Sequence, residues 1–307
     1  MDVVCVGILV ADVVARPVEE LPARGTLGLV EEVSLHGGGC AFNTASALAR
    51  IGLSAGVAGK VGQDALGDFL LALLDERGVD RRGVLSAAGV ATSATAALVD
   101  GRGERTFLHV PGANARLRAD ELDPDFLYSG RALHLAGALV LEELDGEPAA
   151  SLLAGAQARG LLTSLDVVWD ATGRWERVLP CLPHADVFAP SVGEGRAISG
   201  EEDPARVAAW LRRHGVRTVA LKLGAEGCYV AGEEFEGLVE GIRVEAVDSI
   251  GAGDAWVAGL LYGLLADWPP ERAARLANAV GALATTAPGA YDGLRGLEET
   301  LAFAGLT

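Results

Sequence analysis

The chain has 307 residues, half of them hydrophobic and 22% charged, with a formal net charge of −17. That composition supplies a sizeable core and excludes disorder, while the acidic balance and 5% aromatic content disfavour a broad grip on nucleic acid or anionic lipid. The four cysteines (Cys5, Cys40, Cys181, Cys228) form no C-x-x-C pair, as expected of a reduced, cytoplasmic protein, and no run reaches the roughly 18 apolar residues of a membrane span.

Residues 3–10 are β-branched and predict a central strand; no basic flank marks them as a signal peptide. Residues 16–34 are polar, with Pro17, Pro22 and Gly25, and predict an excursion from the main sheet. Residues 36–39 read as a glycine loop, 41–50 as a helix closed at Ile51-Gly52, 57–61 as a strand and 64–77 as an amphipathic helix ended by Gly78. A second β-rich excursion follows, with a hairpin turn at Asp100-Gly101 and Gly103. Strands at 132–139, 161–168, 187–189, 218–223 and 227–231 then alternate with helices at 148–159, 203–214, 253–265 and 271–285. Such alternation predicts a parallel sheet covered on both faces. The helix-free excursions, about 13–34 and 91–112, predict a small β-sheet beside it. There is no repeat and no long linker.

The sharpest motif is the stretch VDSIGAGD, residues 247–254, followed by an apolar helical run. A tight Gly-Ala-Gly turn points the N–H groups of Gly251, Ala252 and Gly253 at a helix N-terminus, where the dipole favours an anion or a transferring phosphoryl group. Asp254 then stands within reach of a substrate hydroxyl and can take its proton. Taken alone, the same residues read as a turn and a helix cap. Asp12 follows the first strand, and an acid there faces the crevice of an α/β sheet. Lys222 is one of only two lysines. It reads either as a partner for a phosphate or as a strand-end lysine in water. The five histidines form no ligand-spaced cluster.

The chain resembles the ribokinase-like (PfkB) sugar kinases. VDSIGAGDAWVAGLL (residues 247–261) is similar to their C-terminal signature, and HGGGCAFNTASALARIG (residues 36–52) to their N-terminal one. KLGAEGCYV and ANAVGALATTAPGAYDG are similar to their nucleotide-side segments, so the likeness covers nearly the whole chain. The resemblance implies a three-layer α/β/α sandwich with a mainly parallel sheet and a small β-sheet lid. It implies one domain over 1–307 that transfers the γ-phosphoryl group of ATP, with Mg2+, to a hydroxyl of a small sugar-like molecule. Asp254 would be the base and Gly251 to Gly253 the anion hole. Asp12, Gly38, Gly39 and Asn43 would bind substrate, with Arg174 added for an acidic sugar. Ser191, Glu194, Lys222, Gly224, Gly227 and Asn278 would line the ATP site, Glu194 meeting Mg2+ through water. Ser191 stands where the family usually has Asn, and Ser249 replaces a common Thr. Asp248, Ile250, Thr285 and Gly289 would hold a monovalent cation such as K+. Apolar residues on the lid would pair two copies into a homodimer. A nucleoside kinase and a catalytically weak regulatory protein on the same fold are the alternatives. A dinucleotide-binding oxidoreductase is excluded, because no G-x-G-x-x-G follows the first strand.

Overall fold

Strand β1 (Val3–Gly7) is buried over its whole length, and its alternation assigns the two faces of the sheet. Val3 and Cys5 join one apolar cluster, and Val4 and Val6 join the other. The computed structural model describes residues 1–102 and 104–307, so Gly103 of the expected hairpin turn lies outside the described residues. In chain order the later strands are β2 (Val10–Arg16), β3 (Glu32–Gly38), β4 (Ala55–Gly62), β5 (Asp80–Ala87), β6 (Ala94–Val99), β7 (Arg105–Val110), β8 (Ala132–Ala138), β9 (Leu162–Val167), β10 (Val187–Phe188), β11 (Thr218–Lys222), β12 (Gly227–Ala231) and β13 (Glu236–Glu240). The helices are α1 (Cys40–Arg50), α2 (Ala65–Glu76), α3 (Pro124–Leu127), α4 (Glu147–Gln157), α5 (Val192–Ser199), α6 (Pro204–Arg213), α7 (Ala252–Leu265), α8 (Pro270–Ala284) and α9 (Leu297–Ala304).

Among the described residues the large sheet runs β13-β12-β11-β10-β9-β8-β1-β4-β5. It is parallel from β11 to β5, with β12 and β13 antiparallel at one edge. Helices α1, α7 and α8 cover one face, and α4 and α6 the other. Local chemistry starts several helices. Asp64 caps α2 by accepting from Gly67 N, and Asp203 caps α6 ahead of Pro204 at its first position. Helix α7 is buried almost all round, as a central helix must be, and it lies tightly on α8. A Cβ on Gly259 would stand 2.8 Å from Ala277 Cα, so only glycine permits that approach.

The two excursions do form a small sheet, in the order β3-β2-β6-β7. Strands β2–β3 and β6–β7 are antiparallel, and β2–β6 is parallel. One expectation is corrected here. Residues 36–38 are the end of β3 and not a loop, because His36, Gly37 and Gly38 pair with Asp12, Ala11 and Val10. Their glycines make room for neighbours: Phe42 and Leu73 fill the space beside Gly37, and the Asp12 carboxylate fills that beside Gly38. Strands β5 and β13 and helices α5 and α9 are additions that the pattern did not signal.

Candidate active site at the start of helix α7

The loop before α7 is pinned from one side, since Val247 N and Asp248 N both donate to Thr285 O, at 2.7 and 3.1 Å. Gly251 then takes the left-handed conformation (φ 69°) that favours glycine, and α7 begins without a side-chain cap. An uncapped start of a fourteen-residue helix leaves backbone donors for an anion. Of the three amides expected to line this turn, that of Ala252 leans back toward Ser249 O at 3.3 Å.

Asp254 lies in the first turn of α7 and is only 9% exposed. Its Oδ2 accepts from Asn43 Nδ2 at 2.8 Å, and Thr44 Oγ1 donates to its backbone carbonyl at 3.2 Å. Helix α1 is thereby strapped to α7 at the reacting end. Burial raises the Asp254 carboxyl above the usual carboxylate range, partly offset by Asn43 and Lys222. A base of this kind holds a proton more firmly than an exposed aspartate would. Asn43 Oδ1 is buried without a partner. It fits a hydroxyl donor entering beside Asp254.

Lys222, at the end of β11, does not point to water. Its Nζ donates to both Asp166 oxygens, at 3.0 and 2.8 Å, and lies 3.4 Å from where a Cβ on Gly253 would stand. Burial works to lower the ammonium, but Asp166, Glu194 and Asp254 outweigh it and the group is raised. Lys222 is thus a firmly charged cation beside the turn. Burial also raises Asp166, which is 2% exposed at the end of β9. Sequence reading missed Asp166, although an acid inside the apolar run 162–168 was a signal for it. Ser191 caps α5 and shares a capping box with Glu194. Ser191 N donates to Glu194 Oε2 at 2.7 Å, which holds that carboxylate toward Lys222. Gly224 (φ 63°) and Gly227 (φ 104°) shape the turn after β11.

Asp12 lies on the small sheet, cross-strand from His36 and Thr95, on the face whose His36 approaches Gly289. Burial raises its carboxyl to about 6, with Thr95 and His36 opposing. Gly39 (φ 91°) starts α1 tight against the backbone of Ile8 and Leu9, where no side chain fits.

Three groups of expected site residues already make contacts within the chain. Both polar ends of Asn278 are occupied: Nδ2 donates to Val239 O and Glu240 O at 3.0 Å, and Oδ1 accepts from Trp256 Nε1 at 2.7 Å. It joins α7, α8 and β13 through these contacts. The Arg174 guanidinium is bound to Glu142 through contacts of 3.2 and 2.9 Å, in an exposed pair. Asp248, Ile250, Thr285 and Gly289 do come together, and the Asp248 carboxylate and Thr285 O already have donors. Asp248 accepts from Ile250 N at 2.8 Å, Gly289 N at 3.0 Å and Arg105 Nη2 at 2.6 Å. Thr285 O takes the two amides described above. Two of the four residues expected to hold a monovalent cation are thus engaged within the chain, one of them by a guanidinium.

The pfkB family carbohydrate kinase profile matches residues 1–295. The 2-dehydro-3-deoxygluconokinase of Bacillus subtilis is 32% identical over 294 residues, 90% of either chain. Fructokinase-1 of Zea mays is 30% identical over 276 residues, 84% of either chain. The crystal structure of a fructokinase with bound ATP from Xylella fastidiosa superposes with a TM-score of 0.86 at 25% identity, covering 99% of this chain and 98% of that one.

Proposed function

The chain belongs to the pfkB family of carbohydrate kinases, phosphotransferases with an alcohol group as acceptor, and from that premise we propose that it moves the γ-phosphoryl group of ATP to a hydroxyl of a small neutral sugar. The Xylella relative was solved with ATP, and the uncapped start of α7 with Lys222 beside it fits a polyphosphate. The observation that carries the reading is the Asn43–Asp254 pair, in which a buried carboxylate stands next to an unpartnered buried Asn43 Oδ1.

In this mechanism Asn43 orients the Asp254 carboxylate and accepts from the sugar. Asp254 takes the hydroxyl proton as that oxygen attacks phosphorus in line. Charge developing on the phosphoryl oxygens meets the N-terminal amides of α7 and the Lys222 ammonium, which Asp166 holds in place. Mg2+ arriving with ATP neutralises phosphate charge, and Glu194 would meet it through water. No step is routed through a monovalent cation.

Asp12, Asp254 and Asn43 Oδ1 all present acceptors to the cleft, which suits a polyol rich in hydroxyl donors. The Arg105 guanidinium is held by Asp248 in a shielded pair, which favours a neutral sugar over a sugar acid. The small sheet, which carries Asp12, acts as a lid over one domain, and water is excluded when it closes. Its outer face exposes Val33, Leu35, Leu108 and Val110, and a second copy covers it. The four unpaired cysteines support a reducing, cytoplasmic location. Among the described residues no helix is long and apolar enough to cross a membrane.

The test is Mg-ATP consumption against ketoses, aldoses, cyclitols, sugar acids and nucleosides. Turnover on a neutral sugar, with the phosphorylated sugar recovered, supports the reading. Turnover confined to a sugar acid or a nucleoside overturns the acceptor assignment. ATP binding with no turnover on any acceptor favours a regulatory protein on this fold.

A further inference from the structure

We propose that Arg105, a residue of the small sheet, supplies the positive charge beside the 247–251 turn that the family resemblance assigned to a monovalent cation, so that the turn is organised without K+. The inference rests on the kinase reading above, and three observations carry it.

The first is the contact itself. Arg105 Nη2 donates to Asp248 Oδ1 at 2.6 Å, and the two side chains are only 20% and 16% exposed. This is a shielded pair and not a solvated surface one, so screening by salt is weaker. The second is the state of the oxygens a cation would need. A backbone carbonyl offers two lone pairs, and Thr285 O already meets Val247 N and Asp248 N. Asp248 meets a guanidinium and two backbone amides. A cation entering here would find Asp248 and Thr285 O already engaged and would face Arg105 at close range.

The third is placement. Alternation along β7 puts Arg105 on the same face as Asp12, through the register Asp12–Thr95–His109 and Val99–Arg105. His36, on that face too, has its Nδ1 3.6 Å from where a Cβ on Gly289 would stand. The sugar-facing side of the small sheet therefore touches the loop that shapes the anion hole. Asp248 in turn fixes Ile250 and Gly289 through their amides, and Gly251 follows directly. Arg105 is a positioning residue: it acts on the turn through Asp248, and it does so only when the small sheet lies against the turn.

The experiment compares K+, Na+ and choline chlorides at constant ionic strength, reading both kcat on the best acceptor and Tm of the unliganded protein. Wild type is expected to keep kcat within about twofold and Tm unchanged across the three salts. Arg105→Met is expected to lose about tenfold or more in kcat in choline, as a displaced turn would, and to gain a K+ response in kcat and Tm. Arg105→Lys, which keeps the charge, is expected to recover most of the loss. Wild-type activation or thermal stabilisation by K+ over choline overturns the proposal, as does wild-type kcat in Arg105→Met. If wild type turns over no acceptor, the kinase reading fails; the Tm comparison then still decides between a guanidinium and a cation at this turn.

Discussion

Asp254 stands on a helix buried from Asp254 to Leu261 and strapped to α1 by Asn43 and Thr44, whereas Asp12 stands on a sheet whose edge strand β7 is exposed from Thr106 to Val110. The two carboxylates stand on opposite kinds of support. The wall at α7 is part of the main core, where Lys222, Asp166 and Glu194 are fixed by the ends of parallel strands and by a helix cap. The wall at the small sheet has few buried side chains and is joined to the turn by one ion pair. Phosphoryl transfer needs fixed charge and aligned atoms, and in the proposed reading the rigid wall supplies them. Binding and release of a sugar need a surface that moves, and such surfaces come from the low-stability parts of a fold.

This contrast predicts that damage to the rigid wall lowers kcat and damage to the small sheet raises KM. The largest effect belongs to Asp254→Asn, expected to lower kcat by about 10³-fold. Its Tm is expected to hold or rise, because a buried charge is removed. Lys222→Met comes next, with kcat down about 10²-fold or more. It also leaves Asp166 buried without its cation, so stability measured by urea unfolding falls by about 3–5 kcal/mol. Adding Asp166→Asn to Lys222→Met recovers much of that stability and none of the activity. A double variant that regains turnover breaks the claim that the pair exists for its charge.

Smaller effects are expected on the other wall. Asp12→Asn raises the sugar KM about tenfold, the weight of one hydrogen bond to a charged group, and leaves kcat within about threefold. Because burial holds the Asp12 carboxyl at about 6, the wild-type KM rises as pH falls through that value, and the variant is flat there. Stability has the opposite sign. The folded form takes up a proton near pH 6 while the unfolded chain waits until near 3.8, so the cost of the buried charge is full above 6 and lost on acidification. Asp12→Asn therefore raises Tm more at pH 7.5 than at pH 5. The mildest change is Leu108→Glu on the outer face, where Leu108 is 67% exposed. By light scattering it converts a dimer to a monomer, with folding stability altered by about 0.5 kcal/mol or less. A wild-type monomer contradicts the assigned role of that face.

The large sheet was legible because its strands are short apolar runs and its helices carry their own caps, as at Asp64 and Asp203. The small sheet was legible as two helix-free excursions, but not in its pairing. The end of β3 looked like a loop because its glycines hide a strand whose spaces are filled by Phe42, Leu73 and Asp12. In the site, the Gly-Ala-Gly turn and Asp254 announce themselves within eight residues. The partners do not. Asp166 meets Lys222 across 56 residues because β9 and β11 both flank β10, and Arg105 meets Asp248 across 143 because the small sheet folds onto the turn. Asn278 and Arg174 have the residue types of ligand contacts. Only their neighbours reveal that those groups are engaged.

The most direct test is a single-turnover measurement of phosphoryl transfer at saturating ATP and sugar, run on Asp254→Asn and Asp12→Asn together. The account predicts a rate about 10³-fold below wild type for the first and within about threefold of wild type for the second. Equal losses in the two variants, or an Asp254→Asn rate close to wild type, would contradict the division of labour between the two walls.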